Sequence, residues 1–411
     1  MSEPGRWLLR AGFPPSLSRD GKLVYIACGL RNVAYGFLSV IIGLYLAQKG
    51  LSKAEVGIVF MAALAGGSAM TVLFTWTADR IGRKWVLVLA AIMMALAGAA
   101  FAMTESLPLL LVAAATGTVS PTGKELGLFL PIEESMLPQT TDDRHRTATF
   151  AWYNIVSSLA GATGALVAGL PALLGMSPVA GYSTLVWAYS GSGVLLLLLF
   201  TRLSASVGAP GTAVRIRFGL SKSMGKVARL ASLFAIDSFG GGFALQGILA
   251  YWFYLRYGVD AATLGAVFFG ANVLSALSFL LAVPIARRIG LLNTMVFTHL
   301  PSNILLMLVP LMPGFGAAVA VFMARSCLSQ LDVPTRQSYS MAIVRPEERP
   351  AAAGIMAVAR NAPPAVSAAF TGPTLAFPVL GLPFLIAGGL KLVYDVAVWR
   401  AFRQVKPPEE T

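Results

Sequence analysis

The polar positions along this chain are bunched, not spread. Long apolar runs, each about the 20 residues a helix needs to cross a bilayer, alternate with short polar stretches. Twelve such runs stand out, at about 22–48, 54–78, 85–104, 107–135, 147–174, 182–201, 227–255, 261–284, 291–312, 315–343, 351–373 and 379–400. The fourth and tenth are long and interrupted by Gly, Pro and charged residues, so their limits are the least sharp. Ahead of Leu23 the longest apolar core is Trp7-Leu8-Leu9, too short for a cleaved signal peptide, and the first span is expected to remain in the mature chain. The pattern predicts an all-α membrane protein of twelve transmembrane helices.

Charge placement adds an orientation. With both ends on one side of the membrane, 22 of the 31 Lys and Arg residues fall on the side of the chain ends, and only Lys49, Lys53 and Arg256 fall opposite. The positive-inside rule then puts both termini in the cytoplasm, and a multi-pass location in a cell inner membrane is expected. The net charge of +13 follows from this asymmetry, and nucleic acid is not needed to explain it. Composition agrees: 56% of residues are hydrophobic and 12% charged, against roughly a quarter charged in soluble domains. Cys28 and Cys327 lie far apart in apolar stretches and are expected to be buried and inert.

The two halves of the chain repeat. Gly50-Leu51-Ser52 through Phe60 matches Gly258-Val259-Asp260 through Phe268 at an offset of 208, and Arg80-Ile81-Gly82 matches Arg288-Ile289-Gly290 at the same offset. Gly36-Phe37 and Tyr45 match Gly242-Phe243 and Tyr251, and Pro131 and Ser135 match Pro334 and Ser338. The expected division is a six-helix bundle over 1–202, a linker over 203–226 and a second six-helix bundle over 227–411. Two pseudo-symmetric bundles of six are a transporter signature, with the substrate site between them near mid-depth.

Asp79-Arg80-Ile81-Gly82-Arg83-Lys84, between the second and third spans, resembles the cytoplasmic signature of the major facilitator superfamily. The six-plus-six arrangement extends the resemblance over nearly the whole chain. It implies alternating access, with Asp79, Arg80, Gly82, Arg83 and Lys84 as a conformational gate in which the acid meets basic residues and helix ends. Thr75 stands where the family usually has Gly, and the matching loop Ala286-Arg287-Arg288-Ile289-Gly290 lacks the acid. Proton-coupled drug exporters of the superfamily usually carry an Arg in the fourth span. Here that region reads Ser120-Pro121-Thr122-Gly123-Lys124-Glu125, and Arg325 in the tenth span is the closer likeness.

Twelve charged residues lie inside the spans, six of each sign: Arg31, Lys124, Arg325, Arg336, Arg360 and Lys391 against Glu125, Glu133, Glu134, Asp237, Asp332 and Asp395. Such residues are costly in a bilayer and mark function or paired interiors. By the repeat, Arg31 falls on Asp237 and Glu133 on Arg336, so each half carries one charge of each sign with the signs exchanged. Two ion pairs are expected, Arg31 with Glu133 or Glu134 and Asp237 with Arg336. Either substrate or protons disturb them during the cycle, or they simply pin helices together. Asp332 is one turn from Arg336 and competes for it. Lys124 and Glu125 point about 100° apart on a helix and should not pair with each other. The glycines and proline around them suggest a broken helix. Lys391 and Asp395 are expected to satisfy each other in the twelfth span, which is peripheral in the superfamily it resembles, and His299, alone in the ninth, to be a hydrogen-bonded packing histidine, with a metal or proton-relay role as the alternative. Phe243 and Gln246 are candidate lining residues, and Arg360 is a candidate for a substrate anion or a backbone carbonyl.

Nucleotide-binding Gly-Lys-Ser/Thr loops, metal-ligand spacings and nucleophile–base pairs are missing from the sequence, so neither an enzyme nor a cofactor is expected. The partners expected are the bilayer, a small-molecule substrate and protons as coupling ion, with the chain working as a monomer. The sequence supports a secondary carrier of a small organic solute or drug, with proton-coupled efflux as the leading reading. An organic-anion importer or uniporter, and a non-transporting sensor or assembly partner of the same fold, are the alternatives.

Overall fold

The computed structural model describes residues 17–125, 129–141, 146–204, 223–345, 348–376 and 381–405. Among them twelve helical spans run back and forth. Unbroken spans are Arg19–Gln48 (span 1), Lys53–Ile81 (span 2), Arg83–Met103 (span 3), Pro178–Thr201 (span 6), Ala261–Ile289 (span 8), Leu291–Leu308 (span 9) and Leu382–Phe402 (span 12). The others are segmented. Span 4 consists of Leu107–Ala115 and Leu130–Met136, and span 5 of Arg146–Val167 followed by a short turn of helix. Span 7 consists of Met224–Phe243 and Gln246–Tyr257, span 10 of Phe315–Ser326 and Asp332–Ala342, and span 11 of Arg349–Asn361 and Pro363–Ala369 with a final turn. Eight spans are long and apolar enough to cross a membrane by length and composition alone; the remaining four are 4, 5, 10 and 11. Most of the expected linker lies at 205–222, outside the described residues.

Local chemistry sets the helix ends. Ser52 caps span 2 in a reciprocal capping box with Glu55, satisfying two orphan donors at once. Its repeat partner Asp260 caps span 8 by accepting from the Thr263 N–H at 2.8 Å. Between spans 2 and 3, and again between spans 8 and 9, the chain turns on a single glycine with positive φ: Gly82 at 90° and Gly290 at 86°. That backbone region is closed to side chains but open to glycine, so the repeat seen in the residues is also a repeat in conformation.

Within the N-terminal half, span 1 packs along spans 5 and 6, and span 3 along span 6; within the C-terminal half, span 12 packs along spans 7 and 9. The halves meet through span 1 against 7, span 2 against 11 and span 5 against 8. Small residues make these contacts: Gly43 abuts Tyr251, Gly57 abuts Thr371 and Gly372, and Gly265 abuts Ala165. Lipid gives no hydrophobic drive between helices, so close approach of small residues does the work. All these contacts lie toward the face opposite the chain ends. At the face carrying the chain ends, bonds run within each half: Asp20 accepts from Ser204 Oγ at 2.5 Å, and Glu348 accepts from the Ser223 N–H at 3.0 Å.

Candidate functional site

The break in span 4 opens the site. A non-helical backbone inside a membrane is stable only when protein groups satisfy it, and here they do. The Thr118 carbonyl accepts from Tyr189 Oη at 2.7 Å, the Pro121 carbonyl from the Gly247 N–H at 2.9 Å, and the Lys124 carbonyl from Ser120 Oγ at 2.6 Å. Gly123, at φ 72°, has Ser39 and Gln246 against it, where a Cβ would meet both. Gln246 Nε2 donates to Ser39 Oγ at 2.9 Å, so this point also ties the two halves together.

From the broken segment Glu125 reaches Arg31, and the N-terminal cluster forms around that guanidinium. Arg31 is wholly buried. Its Nε donates to Glu125 at 2.5 Å, and its Nη1 and Nη2 donate to the two oxygens of Glu133 at 2.6 and 2.8 Å. The fork-on-fork geometry is the strong form of this pair. Tyr153, from span 5, donates to Glu133 at 2.5 Å, and the Phe129 ring centroid lies 4.6 Å from the guanidinium carbon. Of the two expected partners, Glu133 is the one that pairs; Glu134 is half-buried and lies outside the cluster. Lys124 is exposed, while Glu125 turns to Arg31.

The C-terminal cluster forms around an acid. Asp237 accepts from Lys391 Nζ at 2.7 Å on one oxygen and from Arg336 Nη1 at 3.3 Å on the other. Arg336 Nη1 is also 3.1 Å from Asp332, so it serves the local and the cross-helix partner together. Counted along the helices at 1.5 Å per residue, Arg31 and Asp237 lie about 18 and 20 Å from the starts of spans 1 and 7, at matching depth.

One expectation about this half is corrected. Lys391 and Asp395 do not satisfy each other: Lys391 reaches Asp237, while Asp395 takes His299 Nδ1 at 2.8 Å and Asn303 at 3.0 Å. Their shared face is turned inward, where other helices offer better-placed partners. His299 is hydrogen-bonded, as expected, and its bonds make it part of the cluster, with Nε2 3.7 Å from Asp237.

Among the other expected site residues, Phe243 is buried and packs edge-on against Phe239. Gln246 bonds Ser39 and Asn272 and so forms part of the junction between halves. Arg360 is half-buried and faces the positive charge of Arg336. Arg325 lies near enough to Lys124 across the halves for their charges to repel. Its Nε is buried with no hydrogen-bond partner. Among the described residues no carboxylate pairs with Lys124, Arg325 or Arg360. In the gate motif, Arg83 donates to the Ser135 carbonyl at 3.2 Å and Lys84 to the Leu203 carbonyl at 2.7 Å, both at helix ends, where cations are favoured. Gly82 makes the turn and Arg80 is exposed; the side chain of Asp79 lies outside those described. Cys28 is buried as expected, but Cys327 is exposed because the helix of span 10 stops one residue before it.

Tyr153, Asn303 and Lys391 are the participants that sequence reasoning missed. The signal available was polarity at helical spacing: Asn303 and Lys391 each lie one turn from another polar residue, His299 and Asp395.

Twelve spans in two related bundles, with charges held at mid-depth between helices, define a polytopic membrane protein of the carrier type. The chain belongs to the Major Facilitator Superfamily, whose family model matches residues 24–368. It is thus a multi-pass membrane protein of a family of transporters. An uncharacterized membrane protein of Saccharomyces cerevisiae is 26% identical, over 92% of this chain and 93% of the yeast protein. Among solved structures, the nucleoside transporter NupG superposes with a TM-score of 0.74 at 15% identity, covering 94% of this chain and all but 1% of NupG, at 99%. A bacterial homologue of the human lysosomal transporter Spinster, in an inward-facing unoccupied state, gives 0.73 at 14% identity, covering 96% and 99%. At these identities the likeness is one of fold.

Proposed function

We infer that the protein is an alternating-access carrier for a small organic anion, driven by the membrane potential and coupled to protons. The observation that supports this most directly is the set of unpaired cations. Lys124 of the N-terminal half lies within electrostatic reach of Arg325 of the C-terminal half, with Arg360 half-buried in span 11. Like charges brought together with no direct carboxylate pair, Asp332 and Asp237 acting on Arg325 and Arg360 only from a distance, are costly, and a bound anion relieves that cost. Substrate binding then draws the two halves together, the closure that alternating access needs. The contacts between halves lie away from the chain ends, which supports a state open toward the face of the termini.

With the termini in the cytoplasm, export is the direction the charges favour, since an anion leaving a negative interior gains about 2.3 kcal/mol per charge per 100 mV. Glu125 supplies the proton coupling of the N-terminal half. Arg31 is neutralised by Glu133 in the fork, which leaves Glu125 as the excess acid, with its side chain 6% exposed. The carrier acts as a monomer in the inner membrane, and the Asp79–Lys84 segment gates the cytoplasmic side.

Counterflow in proteoliposomes tests the reading, with a panel of mono- and dicarboxylates and sulfonates set against neutral and cationic solutes. Anion flux should fall about tenfold or more in Lys124→Gln or Arg325→Gln, since a charge-assisted contact is worth about 1.5–3 kcal/mol. Flux of neutral or cationic solutes alone, or indifference to both substitutions, would overturn it.

A further inference from the structure

Asp237, Asp332 and Asp395 share their pocket with only two partnered cations, Arg336 and Lys391. Asp237 and Asp395 also flank the ring of His299. Among the groups in direct contact, three carboxylates are matched by two cations, which leaves the two carboxylates that flank His299 underserved. Arg360 of span 11, half-buried, and Arg325 of span 10 add positive charge near Asp237 and Asp332 from farther away, without a direct carboxylate pair among the described residues.

The ring geometry says where the missing positive charge goes. His299 Nδ1 is 2.8 Å from Asp395 Oδ1, and Nε2 is 3.7 Å from Asp237 Oδ1. A neutral imidazole has one N–H and one lone pair. With Nδ1–H donated to Asp395, the Nε2 lone pair would face a carboxylate oxygen 3.7 Å away. With both nitrogens protonated, each faces an anion favourably. Asn303, 3.1 Å from Nδ1, donates to the second oxygen of Asp395 at 3.0 Å and holds that carboxylate in place. The Tyr394 ring closes one side, edge-on with centroids 5.9 Å apart.

We propose that His299, clamped between Asp395 and Asp237, is a proton-binding site of the C-terminal half, linked to the space between the halves through Asp237. Binding takes one proton from water onto Nε2; release returns it. Asp237 Oδ1 already holds Lys391 at 2.7 Å, so the imidazolium and the ammonium share one oxygen. Loss of the proton frees that oxygen for Lys391 and loosens the tie between span 9 and span 7. The site thereby joins proton occupancy to the packing of a helix that forms the contact between halves. It deepens the proton-coupled reading above and rests on it for its role in transport, but the binding itself does not.

The chain has two histidines, His145 and His299, so the test is direct. Protein labelled with ring-¹⁵N histidine, in lipid nanodiscs, is titrated between about pH 5 and 9, and the His299 signal is assigned by its loss in His299→Gln. A single protonation step at His299 is expected, with proton affinity falling about tenfold, one pH unit, in Asp395→Asn. A ring that stays neutral, or stays charged, across the range in the wild-type protein overturns the proposal, and His145→Gln gives the same assignment should His299→Gln fail to fold. A His299 that titrates in a protein moving no solute leaves the site standing and removes the carrier reading. Anion flux with a His299 that does not titrate does the reverse.

Discussion

The two halves solve the same burial problem with opposite signs. In the N-terminal half one cation, Arg31, takes two acids; in the C-terminal half one acid, Asp237, takes two cations. The difference lies in how completely each hub is served. Arg31 is fully buried and uses Nε and both Nη groups at 2.5–2.8 Å on carboxylates. Asp237 has one short bond and one of 3.3 Å, and its second cation is shared with Asp332. A planar guanidinium in a bidentate fork has a single good arrangement, whereas a carboxylate among several donors has several arrangements of similar energy. The N-terminal cluster is therefore built as a fixed pin and the C-terminal cluster as an adjustable one. Alternating access needs both, because a rigid half gives the moving contacts something to work against.

The sharpest way to break this comparison is to remove each hub. Arg31→Gln strands Glu125 and Glu133 with no cation, and removing one partner of a buried pair costs about 3–5 kcal/mol. Thermal unfolding in detergent should show a large loss of folded protein, with Arg31→Lys only partly restoring it because a single ammonium cannot span the fork. Asp237→Asn should cost less, since Arg336 keeps Asp332 and the amide oxygen still accepts from Lys391. Equal losses at the two hubs would remove the distinction between pin and adjustable cluster.

A smaller effect sharpens the C-terminal half alone. In a double-mutant cycle, Lys391→Met with Asp237→Asn should show a coupling of about 1 kcal/mol or more, as expected for residues in contact. Lys391→Met with Asp395→Asn should be close to additive. The reverse ranking would restore the local i,i+4 pair that the spacing of Lys391 and Asp395 suggests.

That pair marks where the sequence was legible and where it was not. Apolar run length discloses the spans, because the bilayer imposes one length on every helix. Internal repetition aligns Arg31 with Asp237 and Glu133 with Arg336, because duplicated halves keep equivalent depths. Neither signal carries azimuth. Lys391 and Asp395 share a face at helical spacing, and whether they face each other or a neighbouring helix depends on how span 12 is rotated against spans 7 and 9. The same ignorance hid Tyr153, whose place early in span 5 does not say that its hydroxyl meets Glu133. The broken fourth span was readable from Gly117, Pro121 and Gly123, since those residues act through the backbone and need no knowledge of packing.

The mildest difference between the halves lies at the caps. Ser52 and Asp260 occupy the same repeat position and cap spans 2 and 8, but only Asp260 titrates. Hydrogen bonds from Thr263 hold its carboxyl below the usual aspartate range. A carboxyl with a lowered folded-state pKa contributes stability that is complete above its unfolded value, about 3.9, and is lost as pH falls through the folded value. Asp260 is exposed, so the charged part of that contribution is small, and the cap itself is worth about 1 kcal/mol. Asp260→Ala should therefore lower the unfolding temperature slightly at pH 7 and by less near pH 3, where the wild-type cap is itself weakened. Asp260→Ser, which copies the cap of the N-terminal half, should keep most of the stability at pH 7 and remove its dependence on acid. A drop for Asp260→Ser as large as for Ala would mean that the charge, and not the hydrogen-bonding oxygen, holds the start of span 8, and the two caps would then differ in kind.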